Sequence, residues 1–254
     1  MSLFIPSPNF YTGRKADLKW IVLHTTESPE KTSAAYNIAR NWFGLASAGV
    51  SAHVVVDDGR DSRYPDGIIE CVKPGDTAWH CANGNASGYG VEIVGYASQG
   101  AAQWSDDFSL RSIRNAMNWV TSFAATRDIP EKWLTDLQLR NGEKGFITHA
   151  QVSRVLGGTS HTDPGVNFPF QYAMGGSPSN RLKYGLRNDP GVREFQAFLN
   201  NAFKWHDPLP ITGNYLDLTR AVLKEFQYRV GAKGDGSIVD PATVIQLRRF
   251  GYPA

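Results

Sequence analysis

The sequence predicts an α/β protein: a mixed central sheet flanked by helices, followed by a small three-helix bundle. Three observations carry this. Between residues 18 and 150, short apolar, β-prone runs alternate with helical patterns. Residues 175–189 (GGSPSNRLKYGLRND) are rich in Gly, Ser, Asn and Pro and read as a linker. Residues 190–254 hold only short amphipathic helical patterns. The expected organisation is a first domain over 1–174, a linker over 175–189 and a second domain over 190–254.

Taken in order, residues 1–17 form a Pro- and Gly-punctuated lead-in arm. Residues 18–23 (LKWIVL) read as a buried strand ending at His24. Residues 29–43 repeat Ala34, Ala35, Ile38, Ala39 and Trp42 at helical spacing, and Gly44 and Gly49 break the pattern. Residues 51–57 and 68–72 are strands, and 77–90 is a loop carrying Trp79 and His80. Residues 90–96 (GVEIVGY) are β-prone, with one charge, Glu92. Ser105 or Asp106 caps a long helix whose apolar face is Leu110, Ile113, Met117, Val120 and Ala124. Residues 146–148 form a last strand ending on His149. Residues 150–156 form a short helix stopped by Gly157 and Gly158. In the tail, Val192, Phe195, Leu199 and Phe203 mark one helix, and Leu218, Val222 and Phe226 a second. Asp240-Pro241 opens a third through Val244 and Leu247.

Bulk properties exclude more than they select. Twenty-six Lys and Arg face 24 Asp and Glu, a net charge of +2. That is too slight to argue for nucleic acid. No run of about 18 apolar residues suggests membrane insertion. The N-terminal stretch MSLFIPSPNFYTGRK lacks the charged start and apolar core of a secretory signal. Cys71 and Cys81 are too few for a disulfide framework and read as buried free thiols.

The chemistry gathers in residues 146–170 (FITHAQVSRVLGGTSHTDPGVNFPF). Pro164 stiffens the turn that presents Asp163, and Gly165 lets the chain reverse. His24 and His149 both end β-prone runs. If those strands are parallel neighbours, the two histidines meet on one edge of the sheet, and Asp163 arrives from the loop beyond. His, His and Asp with one position left open is the make-up of a catalytic zinc site. Glu92, one carboxylate in an apolar strand, is the candidate acid/base. His161, two residues before Asp163, is placed either to donate to a developing oxyanion or to bind metal in place of His149.

The runs LKWIVLHTTES, SAHVVVDDG, AWHCANG, GVEIVGYA and THAQVS…SHTDPGVNFPF, in this order, resemble the type 2 N-acetylmuramoyl-L-alanine amidases. That family is similar to the peptidoglycan recognition proteins and to phage amidases. The resemblance covers residues 18–172. It implies one Zn2+ per chain on His24, His149 and Asp163, with Glu92 as acid/base. It also implies cleavage of the amide between N-acetylmuramic acid and L-alanine in peptidoglycan. His53, His80 and Trp79 fall on motif positions; they are expected either to contact substrate or to support the site structurally. The family usually has lysine where His161 stands, and a shorter gap between the last histidine and the aspartate. The tail, through GVREFQAFLN, LPITGNYLDLTRAVLKEFQ and GDGSIVDPATVIQL, resembles a three-helix peptidoglycan-binding domain. Together these imply a monomeric phage endolysin. It would be made in the host cytoplasm without a signal peptide and act on the wall after release. The alternatives are a non-catalytic recognition protein and a zinc peptidase cutting stem-peptide cross-links.

Overall fold

The apolar runs become strands, and their arrangement in the computed structural model sets the site. The structure describes residues 2–173 and 182–252, without 233, 240–242, 244, 245 and 248. In chain order the strands are β1 (Leu3–Phe4), β2 (Phe10–Tyr11), β3 (Trp20–Thr25), β4 (Val54–Val56), β5 (Ile68–Glu70), β6 (Thr77–Ala78), β7 (Gly88–Ile93) and β8 (Gly145–Thr148). Six of them form one mixed sheet in the order β1-β5-β4-β7-β3-β8; β2 and β6 form a separate antiparallel pair. Only β4 and β5 run antiparallel within the main sheet.

Every residue of β3, β4 and β8 is buried. Such strands read as continuous apolar runs because helices and loops cover both faces. Helix α1 (Ala34–Ile38) lies against β4 and β5, and α2 (Asp107–Ala125) against β4, β5 and β7. The expected α2 face is buried, and Asp106 is its cap, accepting from the Ser109 N–H at 2.8 Å. A short helix α3 (Asp136–Arg140) and α4 (His149–Gln151) complete this unit; α4 continues as a π-helical turn, Val152–Leu156.

Three details differ from the sequence expectation. Helix α1 starts at Ala34, not near residue 29, and continues as a π-helical turn over Ala39–Phe43. In its first turn the Ala35 N–H donates to the distant Asp57 carboxylate at 3.1 Å. The cap is therefore tertiary and leaves no local signal. The lead-in arm holds an edge strand, β1, paired with β5. Helix α3 is an addition; Thr135 caps it in a reciprocal box with Gln138.

The chain divides into two compact units, Met1–Pro169 and Phe170–Ala254. The second contains α5 (Phe170–Ala173), α6 (Pro190–Ala202) and α7 (Asp217–Arg229). Its core joins Val192, Phe195 and Leu199 of α6 to Val222, Leu223 and Phe226 of α7. Buried Gln196 uses both ends of its amide. Its nitrogen donates to Asn214 O and Thr219 Oγ1, and its oxygen accepts from the Thr212 and Gly213 N–H groups. Asp189 caps α6, with proline in its first turn. The cap expected at Asp240-Pro241, with Val244, lies outside the described residues, as does 175–181 of the expected linker. Both cysteines are free and buried. Among the described residues, no helix is long and apolar enough to cross a membrane.

Candidate active site

Parallel pairing decides where the histidines go. Strand β3 lies between β7 and β8. His24 is the register partner of Glu92 on β7, and Leu23 that of Thr148 on β8. His149 thus follows one residue beyond the β8 pairing, beside His24. Thr148 ends the strand by capping α4: its hydroxyl accepts from the Gln151 N–H at 3.1 Å, and its own N–H donates to Gln151 Oε1. The Asp163 loop is tied to this cap by the Ala150 N–H, which donates to the Asp163 carbonyl at 3.0 Å. Gly165 takes φ +90°, and a Cβ there would stand 2.0 Å from the Ala97 carbonyl oxygen. A side chain at 165 would push the Asp163 turn away from its seat.

Three donor atoms converge. His24 Nδ1 and His149 Nδ1 are 3.0 Å apart. His24 Nδ1 lies 3.1 Å from Asp163 Oδ2, and His149 Nδ1 3.2 Å from Asp163 Oδ1. All three residues are buried. A tetrahedral ion with bonds of about 2.0–2.1 Å has ligand edges of roughly 3.3 Å, close to these separations. The outer nitrogens fit the same requirement. An Nδ1 lone pair aimed at a metal puts the ring proton on Nε2. His24 Nε2 has His80 Nδ1 at 3.0 Å to receive it, and His149 Nε2 has Thr159 Oγ1 at 3.1 Å. The His/His/Asp group is able to hold a metal ion. A second cluster, His24, His80 and Cys81, shares His24 with it. Its thiol is held neutral because burial pushes the Cys81 pKa well up.

Burial also lowers the His24 pKa, against the pull of Asp163. Burial opposes the ionised Asp163 too, but hydrogen bonds with His149 and His24 outweigh it and keep that carboxyl below the usual range. Both shifts keep His24 and Asp163 free of protons near neutral pH, the state a metal ligand needs. Glu92 is pushed well above the ordinary carboxylate range, first by burial, then by the charges of Asp163 and Glu27.

The group opens into a cleft of about 530 Å³ that also receives Glu92, Trp79, His80 and His161. Glu92 Oε2 and Trp79 Nε1 are shielded from solvent and hydrogen-bond nothing among the described residues. Polar atoms left so at a cleft wall are positioned for a ligand. His161 is exposed; its ring stacks on His149 with centroids 4.4 Å apart, and its Nδ1 lies 3.6 Å from Asp163 Oδ1. It flanks His149 on the lining of the cleft. His53, expected either to contact substrate or to support the site, is not among the residues lining the cleft. It is fully buried. Its Nδ1 accepts from the Gly90 N–H at 2.9 Å, and Arg14 Nη2 lies 2.8 Å from its Nε2. Thr159 and Glu27 join the site without having been singled out in the sequence. A threonine in a polar loop carries no signal of its own. Glu27 was visible only as part of the HTTES run, and its Oε1 is fixed by Thr25 Oγ1 and the Ala97 N–H.

Residues 14–166 match the family described as N-acetylmuramoyl-L-alanine amidase. The chain belongs to this amidase family. Residues 188–252 match a second family, described as a putative peptidoglycan-binding domain. Among solved structures the chain is similar to the Staphylococcus aureus hydrolase AmiA: 20% identity over 68% of this chain and 82% of that one, TM-score 0.49. It is also similar to the amidase LysC from Clostridium intestinale: 13% identity over 69% and 96%, TM-score 0.41. A mutant endolysin from Bacillus subtilis is 16% identical over 62% and 87%, TM-score 0.41. No curated protein matches the chain in sequence. The protein is an N-acetylmuramoyl-L-alanine amidase carrying a peptidoglycan-binding domain.

Proposed function

We propose that this amidase is a zinc enzyme that acts as a phage endolysin. It hydrolyses the amide joining the lactyl group of N-acetylmuramic acid to the L-alanine of the stem peptide. The observation that carries this is the meeting of His24 Nδ1, His149 Nδ1 and Asp163 beside the shielded Glu92 carboxylate. In this proposal those three residues hold one Zn2+. Bound zinc supplies Lewis acidity and lowers the pKa of water to about 7.

The chain's own groups do the rest. Glu92 takes a proton from the attacking water as its oxygen bonds to the amide carbonyl carbon. The carbon–nitrogen bond then breaks, and Glu92 returns the proton to the departing amine of L-alanine. The products are a free lactyl carboxylate and a peptide beginning with L-alanine. A raised pKa suits a group that must both accept and return a proton near neutral pH. His161, on the open side of His149, donates to the oxygen that gains charge. His80 and Thr159 hold the ligand rings in place. Trp79, at the cleft wall and packed against Tyr11, gives the substrate an apolar surface.

Residues 1–174 are the proposed catalytic part, 190–254 the wall-holding part and 175–189 the connection. A wall-binding segment on the same chain suits an enzyme of intact wall more than one of released fragments. That supports a monomeric endolysin made in the host cytoplasm and released to the wall. Mass spectrometry of digested walls tests the bond. New L-alanine amino termini paired with free lactyl carboxylates are expected. New termini at cross-linking residues instead would identify a peptidase.

A further inference from the structure

A second cavity, of about 540 Å³, lies at the other end of the sheet. Arg14, Lys15, Asp17, Leu18, Arg127 and Lys144 are among the residues that line it. Leu18 precedes β3 and Lys144 precedes β8, so the cavity is at the start of the strands whose ends carry the catalytic cleft. From Leu18 to His24 the extended chain covers roughly 20 Å. The two sites do not share a lining residue.

Among the described residues the charge of this cavity is only partly offset. Arg14 is tied down by neutral partners. Its Nε donates to Pro74 O at 2.7 Å, and its Nη1 to Ala86 O and Gly88 O. His53 takes up the position beside Nη2. No carboxylate forms an ion pair with it among the described residues. Burial, with the charge of Arg127, brings the Arg14 pKa down to about 10 against the opposing pull of Tyr89 and Asp76. Lys144 Nζ donates to the Arg127 carbonyl at 2.9 Å, which holds those two residues together. The Lys15 ammonium lies 5.7 Å from the Tyr11 ring and the Arg127 guanidinium 5.6 Å from the Phe123 ring. Aromatic faces orient cations without cancelling their charge. Lys15, Arg127 and Lys144 likewise form no ion pair among the described residues. Among the described residues Asp17 is the single carboxylate in the lining, against four cations.

A compact anion of charge −1 to −2 with several acceptor oxygens satisfies such a set; the Arg127 fork suits a phosphate bidentately, and the lysines add point charge. We propose that this cavity binds a phosphate group, carried in a phosphodiester polymer of the wall or free in solution. The site stands independently of the reaction in the cleft.

The test is calorimetric titration of the full chain with two probes, poly(glycerol phosphate) and inorganic phosphate, at low and high salt. The comparison is a Lys15→Gln/Arg127→Gln double variant; both side chains are exposed and outside the cores. Cleavage of soluble muropeptides should be unchanged in it, which checks its fold. Polymer binding that weakens with salt and at least tenfold in the double variant supports the polymer as source. Binding of inorganic phosphate alone, lost in the same variant, supports the free anion. Absence of binding for both probes, or equal binding by the double variant, overturns the site.

Discussion

His24 and Glu92 are register partners on adjacent parallel strands, so their side chains leave the same face of the sheet side by side. One pairing thus puts a nitrogen of the His/His/Asp group and a shielded carboxylate at a common edge. Neither residue needs a loop to bring it there, which gives the pair a rigid base.

Substitution of this carboxylate separates binding from turnover. Glu92→Gln keeps the shape and removes the proton acceptor. Wall binding and metal content should be retained, while kcat falls by about 10²–10⁴-fold. Release of L-alanine-led peptides from purified walls measures it; an active variant would place the base elsewhere.

The two stacked histidines should behave differently. His149→Ala removes a converging donor and should lose the metal. His161→Ala removes a ring that stands outside the donor triangle and should keep it, with reduced kcat. His161→Lys should restore activity to the His161→Ala variant, because a lysine ammonium is also a donor to the oxygen that gains charge. Metal analysis beside pH–rate profiles distinguishes these outcomes. Metal lost from the His161 variant but kept by the His149 variant would reverse the assignment.

Acid should destabilise the fold through His53. Burial, then the Arg14 charge, lowers its pKa to about 3. Unfolded, a histidine titrates near 6.5. Below that pH the unfolded chain binds a proton that the native chain refuses, so stability drops as pH falls from about 6.5 towards 3. The slope contributed is up to about 1.4 kcal/mol per pH unit. His24 and His80, shifted the same way, add to it in metal-free protein. Urea unfolding at pH 7 and pH 5 should show a smaller pH difference in His53→Gln than in the natural chain, whatever the variant does to absolute stability. An unchanged difference would mean that His53 is already protonated when folded.

The tail has its own core, so its loss should cost binding, not chemistry. Removal of residues 187–254 should weaken sedimentation with walls and spare cleavage of small muropeptides. Loss of both would contradict the proposed division of labour.

Much of this was legible because it depends on strand ends. His24 and His149 close apolar runs, and a parallel sheet brings such ends together. Asp106 announces α2 because its cap is local. What could not be read depends on distant partners. The start of α1 is set by Asp57, and β1 is two residues paired to β5, too short for a periodic pattern. His53 sits in a motif like those of the site histidines, yet it lies two residues before the strand level of His24 and Glu92, beside Gly90 and Arg14. The order of the motifs supplied the rest of the site; spacing alone left His149 and His161 as competing ligands, and it is His149 whose Nδ1 lies 3.0 Å from His24 Nδ1.

The most direct measurement is bound metal per chain in the natural protein and in His149→Ala, taken with release of stem peptides from walls before and after chelation. The account predicts one zinc per natural chain, little in the variant, and release that stops with chelator and returns with added zinc. Stem-peptide release from metal-free protein, undiminished by chelator, would contradict it.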